Sequence, residues 1–198
     1  DLIESIVAAM DARDAYTAKH SDRVADMVLV LATALDLSED ETTLLHMAAH
    51  LHDIGKIAVP DSVLRKAGPL TNPEWEEMRR HPVTGYEILR KVDDFKEIAV
   101  LVRHHHERWD GRGYPDGLKG DEIPISAQVV SLADVYDALT NERVYKKAIP
   151  HEKAIEMIVA GECGQFNPLL IECLLEIKED IPIQLMNAEH RNSLSLIH

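Results

Sequence analysis

The stretch Ser38–Lys56, SEDETTLLHMAAHLHDIGK, decides the reading of the fold. Ser38 followed by Glu41 is the signature of a capping box, in which each side chain satisfies a backbone N–H of the other at a helix start. Leu44, Leu45 and Ala48 follow at helical spacing, so a helix begins here and runs to Leu51-His52-Asp53. There an imidazole and a carboxylate stand side by side among Leu51, Ile54 and Gly55. Outward from this stretch the same periodicity recurs. Leu2, Ile3, Ile6, Val7 and Met10 predict one helix; Val24, Met27, Val28, Leu31 and Leu35 predict another. A second capping box, Thr71 with Glu74, precedes Trp75 and Met78. Further helical patterns cover about 83–91, 94–106, 125–140, 151–160 and 168–178, and alternating strand-like runs are nearly absent. The expected fold class is all-α.

One segment breaks the pattern. Asp110 to Pro124 carries Gly111, Gly113, Gly117, Gly120, Pro115 and Pro124, which predicts a long turn-rich loop between two helices. Loops of that length inside compact domains are usually functional. No repeat, low-complexity tract or linker divides the chain, so residues 1–182 read as one domain and 183–198 as a loosely ordered tail. The first residue is Asp1, already inside an amphipathic pattern, which suggests a piece of a longer protein.

The 198 residues are 45% apolar and 28% charged, suited to a sizeable core rather than to disorder. A formal net charge of −14, from 35 acidic against 21 basic residues, disfavours non-specific attraction to nucleic acid polymers or anionic lipid. Most of these carboxylates read as a solvated surface, and an anionic substrate would need concentrated positive charge such as bound metal ions. Cys163 and Cys173 form no CxxC pair, so neither a disulfide scaffold nor a zinc-thiolate site is suggested. The longest apolar run, Met27–Leu35, is nine residues, against the roughly 20 needed to span a bilayer. No membrane insertion is expected.

The chain holds 11 histidines, and their placement says more than their number. His52-Asp53 ends one helix, His105-His106-Glu107 ends the helix before the Gly-rich loop, and Asp134 lies mid-helix between Ala133 and Val135. A buried mid-helix carboxylate needs compensation by a metal or an Arg partner. Singly, each is an ordinary core residue; together, imidazoles and carboxylates without thiolates suit Mn²⁺, Fe²⁺ or Zn²⁺, and one Asp can bridge two ions.

His20, His52-Asp53, Lys56, His81, His105-His106 and Asp134 resemble the motif series of the HD phosphohydrolase superfamily. The segments HDIGKIAVPDSVLRKAGPLT, HHERWDGRGYPDGLKGDEIP and ADVYDALTNERVYK are similar to the HD-GYP subfamily, a helical bundle named for His52-Asp53 and Gly113-Tyr114-Pro115. The resemblance covers about residues 10–170. It implies a metal-dependent phosphodiesterase that opens cyclic di-GMP to pGpG, with GMP as a further product in some members. It implies one ion on His20, His52, Asp53 and Asp134 and a second on Asp53, His81, His105 and His106, with Asp53 as the bridge and a hydroxide shared by the two ions as nucleophile. It also implies that Lys56, Arg143 and Lys146 contact the ligand, and that the Gly113-Tyr114-Pro115 loop docks partners such as GGDEF-domain proteins. Some members take a third ion through a Glu four residues before the first His ligand; here Tyr16 stands there, so two ions are expected. Because a helix turns 100° per residue, His104, His105 and His106 cannot all converge; one must point away, and the resemblance to the family's HHE motif implies that it is His104. His46 and His50, four apart on one face, match no ligand of the family and are read as packing or surface residues.

Two alternatives stand beside this reading. The same chemistry serves another cyclic dinucleotide such as cyclic GMP-AMP, or the domain is a non-catalytic module that binds cyclic di-GMP or docks GGDEF domains. The stripe of Leu2, Ile3, Ile6 and Val7 fits a homodimeric coiled coil as well as it fits core packing. A cytoplasmic place within a larger sensory or response-regulator protein is expected.

Overall fold

The computed structural model describes residues 2–13, 19–142 and 147–195. Its helices are α1 (Leu2–Arg13), α2 (His20–Ala34), α3 (Glu39–Leu51), α4 (Asp61–Leu64), α5 (Asn72–Met78), α6 (His81–Leu89), α7 (Lys96–His104), α8 (Ile125–Thr140), α9 (His151–Val159), α10 (Pro168–Ile177) and α11 (Ile181–Ser195). Short 3-10 turns lie at Ile54–Ala58, Asp93–Phe95 and Gly120–Glu122, and there is no strand among the described residues. The all-α expectation holds.

Local chemistry sets the helix starts. Ser38 Oγ accepts from the Glu41 N–H while Glu41 accepts from the Ser38 N–H at 2.9 Å. Thr71 and Glu74 form the second reciprocal box, with Thr71 N donating to Glu74 at 2.7 Å. At α10 the Asn167 side chain caps Leu169 N, and Pro168 occupies the first turn, where its missing N–H has no intrahelical bond to lose.

α2 is the central element, with Val24, Val28 and Leu31 fully buried between α3 and α8. α7 closes the other side through Ile98, Ala99 and Val102, meeting α3, α6 and α8. Gly55 fixes one close approach. A Cβ built there would lie 1.8 Å from His81 O and 2.6 Å from Gly85 N, so only glycine lets the turn after α3 press backbone-to-backbone on α6. That contact carries Asp53 up to His81.

Residues 183–195, within the segment expected to be a loose tail, continue α11, which packs on α2 with Ile181 and Ala188 buried. Ile181, Leu185 and Ala188 recur at helical spacing, a stripe sparse enough among polar residues to pass for a tail. Arg143, Lys146, Asp14 and Tyr16 lie outside the described residues, as do the side chains of Leu2 and Ile3. No helix among the described residues is long and apolar enough to cross a membrane. Cys163 is half-buried and Cys173 buried.

Candidate metal centre

Helix ends supply nearly all of the expected ligands. His20 opens α2 directly after Lys19, which takes a left-handed conformation (φ 63°). His52 caps the C-terminus of α3, Asp53 begins the turn that Gly55 presses on α6, His81 opens α6, and His105 caps α7 with His106 next to it. Asp134 alone projects from mid-helix, in α8. His20, His52, Asp53, His81 and His105 are buried, while His106 and Asp134 are half-buried.

These side chains converge in three overlapping groups: His20 with His52 and Asp134, His81 with His105 and His106, and His52 with Asp53 and His105. The ligand atoms within each lie within 4.8 Å of one another. Asp53 sits between them. Its Oδ2 is 3.4 Å from His52 Nε2 and 3.9 Å from His20 Nε2, while its Oδ1 is 3.4 Å from His81 Nε2. His20 Nε2 is 3.3 Å from Asp134 Oδ1.

The opposite ring nitrogens show which atoms are available. Nδ1 of His52 is 2.6 Å from Ala49 O, Nδ1 of His81 is 2.8 Å from Met78 O, and Nδ1 of His105 is 2.6 Å from Val102 O. A carbonyl only accepts, so each Nδ1 carries the proton and each neutral ring presents a lone pair at Nε2. Nε2 of His52 is buried without a hydrogen-bond partner. Nε2 of His81 and of His105 face each other at 3.4 Å. With both Nδ1 atoms protonated, neither Nε2 has a hydrogen to give, and two lone pairs oppose. A cation between them removes both the repulsion and the unsatisfied acceptor, so the donor set fits divalent metal.

Protonation states agree. Burial, with His106 and Lys56 adding to it, holds the His81 ring down at about 3, and burial likewise holds His106 down at about 4 and His105 well below its ordinary range. Asp53 and Asp134 stay well below the ordinary carboxylate range: burial opposes this, but Lys56 and His52 outweigh it at Asp53 and His20 does so at Asp134. His20 differs. Burial would lower it, yet hydrogen bonds to Asp134 and Asp137 push it up to about 9. A position between two carboxylates attracts a cation, and a divalent ion there displaces the proton.

Lys56 Nζ lies 2.6 Å from Asp53 Oδ2, at the edge of the cluster. The Tyr114 ring stacks on His106, centroids 4.8 Å apart at 30°, and the Arg79 guanidinium lies 5.4 Å from its centroid. The turn-rich loop thus folds back on the centre, with Tyr114 N donating to His106 O at 3.1 Å. His104 points away, onto Asp116 at 3.0 Å. His46 and His50 pack edge to face at 4.6 Å, outside every ligand group.

Asp137 was missed by the sequence reading. It is 2% exposed, accepts from Nδ1 of His20 at 2.6 Å, and is held by Arg23 Nε at 2.6 Å and Asn141 Nδ2 at 2.8 Å. Its signal was the one used for Asp134, an acidic residue among apolar neighbours on α8.

A family model described as "HD domain" matches residues 4–168. Over 177 residues the chain is 42% identical to the cyclic di-GMP phosphodiesterase response regulator RpfG of Xanthomonas campestris, covering 88% of this chain and 47% of that protein. It is also 42% identical to 3'3'-cGAMP-specific phosphodiesterase 2 of Vibrio cholerae, covering 89% of this chain and 34% of that protein. The chain thus spans half or less of the length of these relatives. Among solved structures, a cyclic GMP-AMP specific phosphodiesterase of V. cholerae superposes with a TM-score of 0.70 at 21% identity, over 94% of this chain and 53% of that one. The HDG"Y"P protein Bd1817 of Bdellovibrio bacteriovorus gives 0.66 at 23%, over 81% and 51%. Both share the fold.

Proposed function

The chain belongs to the HD-domain family and carries its HD-GYP motifs, and from that premise we propose that it is a metal-dependent phosphodiesterase acting on cyclic dinucleotides, cyclic di-GMP first. The observation that carries this is Asp53, whose two oxygens face separate sets of imidazole Nε2 atoms. A carboxylate so placed is the bridge that a two-ion phosphoester hydrolase requires. His20, His52 and Asp134 would hold one ion, and His81, His105 and His106 the other. Divalent ions there supply an activated water at neutral pH and offset the charge that develops on the phosphate.

The protein's own groups do the rest. Backbone carbonyls fix the ring tautomers, Lys56 places a positive charge beside Asp53, and the apolar walls of α2, α3 and α7 exclude bulk water. The linear dinucleotide pGpG is the expected product, with Arg143 and Lys146 as further ligand contacts and a surface of the Gly113-Tyr114-Pro115 loop as a docking site for GGDEF-domain proteins.

The test is anaerobic incubation of the purified chain with cyclic di-GMP and Mn²⁺ or Fe²⁺, resolving nucleotides by chromatography. Formation of pGpG that a chelator abolishes supports the reading; intact substrate with fully loaded metal favours a binding module instead. Because one relative of equal identity is a 3'3'-cGAMP-specific phosphodiesterase, that dinucleotide belongs in the same assay.

A further inference from the structure

Beside the metal centre lies a cavity of about 190 Å³. This is below the roughly 300 Å³ at which pockets enclose whole small ligands, so it suits one part of a larger substrate. Its walls include His106, a candidate ligand, and Ser131 and Val135 of α8, which flank Asp134, so it adjoins the candidate metal centre. Arg79, Arg108, Arg112 and Gln165 give it a donor-rich lining in a chain whose net charge is −14.

The cavity is a built one. Asp110 holds both loop arginines: Arg108 Nη2 donates to it at 2.7 Å, Arg112 Nε lies 3.6 Å away, and the Arg112 N–H donates at 3.0 Å. Nε of Arg108 is buried with no hydrogen-bond partner. Trp109 N donates to Gln165 O at 3.1 Å, which ties the turn carrying Gln165 and Phe166 to the loop. Glu107, 4% exposed, also lines the cavity; its Oε1 accepts from Asp116 and Gly117, while its Oε2 is buried and unpartnered. Aromatic faces come from Tyr114 and Phe166.

We propose that this cavity is a base-recognition subsite that selects guanine over adenine in the dinucleotide substrate, an inference that rests on the phosphodiesterase reading above. Guanine offers two acceptors, O6 and N7, which an arginine reads in bidentate fashion, whereas adenine replaces O6 with an amino donor that an arginine repels. Guanine also carries N1–H and N2–H donors on the edge where Glu107 provides the cavity's carboxylate. The aromatic faces give stacking area to either purine, so discrimination falls to the arginines and Glu107.

The experiment titrates GMP and AMP into the Mn²⁺-loaded chain and, separately, measures hydrolysis of cyclic di-GMP, cyclic di-AMP and bis(p-nitrophenyl) phosphate, which has no base. The expected result is tighter binding of GMP than of AMP by about tenfold, the scale of one bidentate arginine contact. Arg108→Ala and Arg112→Ala should each erase most of that margin, and should raise KM for cyclic di-GMP several-fold more than KM for bis(p-nitrophenyl) phosphate. Arg90→Ala, on the remote end of α6, serves as the control. Equal binding of GMP and AMP by the wild-type chain overturns the subsite, as do variants that keep the wild-type margin or lose both substrates in parallel with metal. If the wild-type chain prefers GMP yet cleaves no dinucleotide, the hydrolytic reading fails while the subsite stands.

Discussion

Oδ2 of Asp137 lies 2.6 Å from Nδ1 of His20, so one candidate ligand is oriented by a carboxylate where His52, His81 and His105 are oriented by main-chain carbonyls. A carboxylate partner raises the basicity of the ring it holds, and losing such a partner typically costs about 10–100-fold in metal affinity. Asp137→Asn keeps the shape and removes the charge. It should weaken one ion by about tenfold in a chelator competition while the other binds as before. Unchanged affinity for both ions would remove Asp137 from any such role.

Asp53 is predicted to be shared. Asp53→Ala should lose both ions and His81→Ala mainly one, read as metal per chain by elemental analysis; the unsubstituted chain should hold two. Full metal content in the Asp53 variant would end the bridging assignment.

Gly55→Ala should be among the more damaging small substitutions, because the new methyl meets His81 O at 1.8 Å and backbone cannot yield as a flexible side chain does. A destabilisation of about 3 kcal/mol in urea unfolding is expected, together with weakened metal binding as Asp53 and His81 are pushed apart. A variant as stable as its parent would show that α6 and the turn after α3 move freely.

Acid should destabilise the metal-free protein well before its carboxylates titrate. His81 and His106, held down at about 3 and 4, refuse protons that the unfolded chain takes up from about pH 6.5. The unfolded state therefore binds more protons between about pH 6.5 and 4, and stability falls as pH falls through that window. His20, pushed up to about 9, works in the opposite sense: its contribution is complete below about 6.5 and is lost as pH rises through 9. The lowered carboxyls of Asp53, Asp134 and Asp137 titrate below this window. Melting of chelator-treated protein followed by circular dichroism should show Tm dropping from pH 7 to 4.5, and a flat or rising Tm contradicts the assignment.

Tyr114→Ala should leave the metal content intact, since the Tyr114 ring meets the centre by stacking on His106. Its effect should appear in KM for the dinucleotide. Parallel loss of metal would put the phenol among the ligands.

What was legible in the sequence was what local chemistry determines. The two capping boxes depend on residues three apart, and both formed. The adjacent pairs His52-Asp53 and His105-His106 announced themselves; helical geometry required one of the three histidines to turn away, and the HHE motif singled out His104, which faces Asp116. What escaped depends on packing between distant segments. Asp137 acquires its role only because α2 and α8 lie together and bring residues 20 and 137 into contact. The arginine-lined cavity draws on four separate stretches of chain, none informative alone. α11 escaped because its few apolar residues become a face only once α2 is there to receive them.

The main-chain bonds to Nδ1 bear on how this centre tolerates drift. Ala49, Met78 and Val102 contribute only their carbonyls, and every amino acid brings the same carbonyl. No substitution at those three positions that keeps the helix can delete an orienting bond, so they are free to vary with core packing. Position 137 has no such insurance. Across related chains that keep all the ligands, positions 49, 78 and 102 should therefore vary as far as packing allows while 137 stays nearly invariant, an asymmetry written by which atoms, main-chain or side-chain, were recruited to hold each ring.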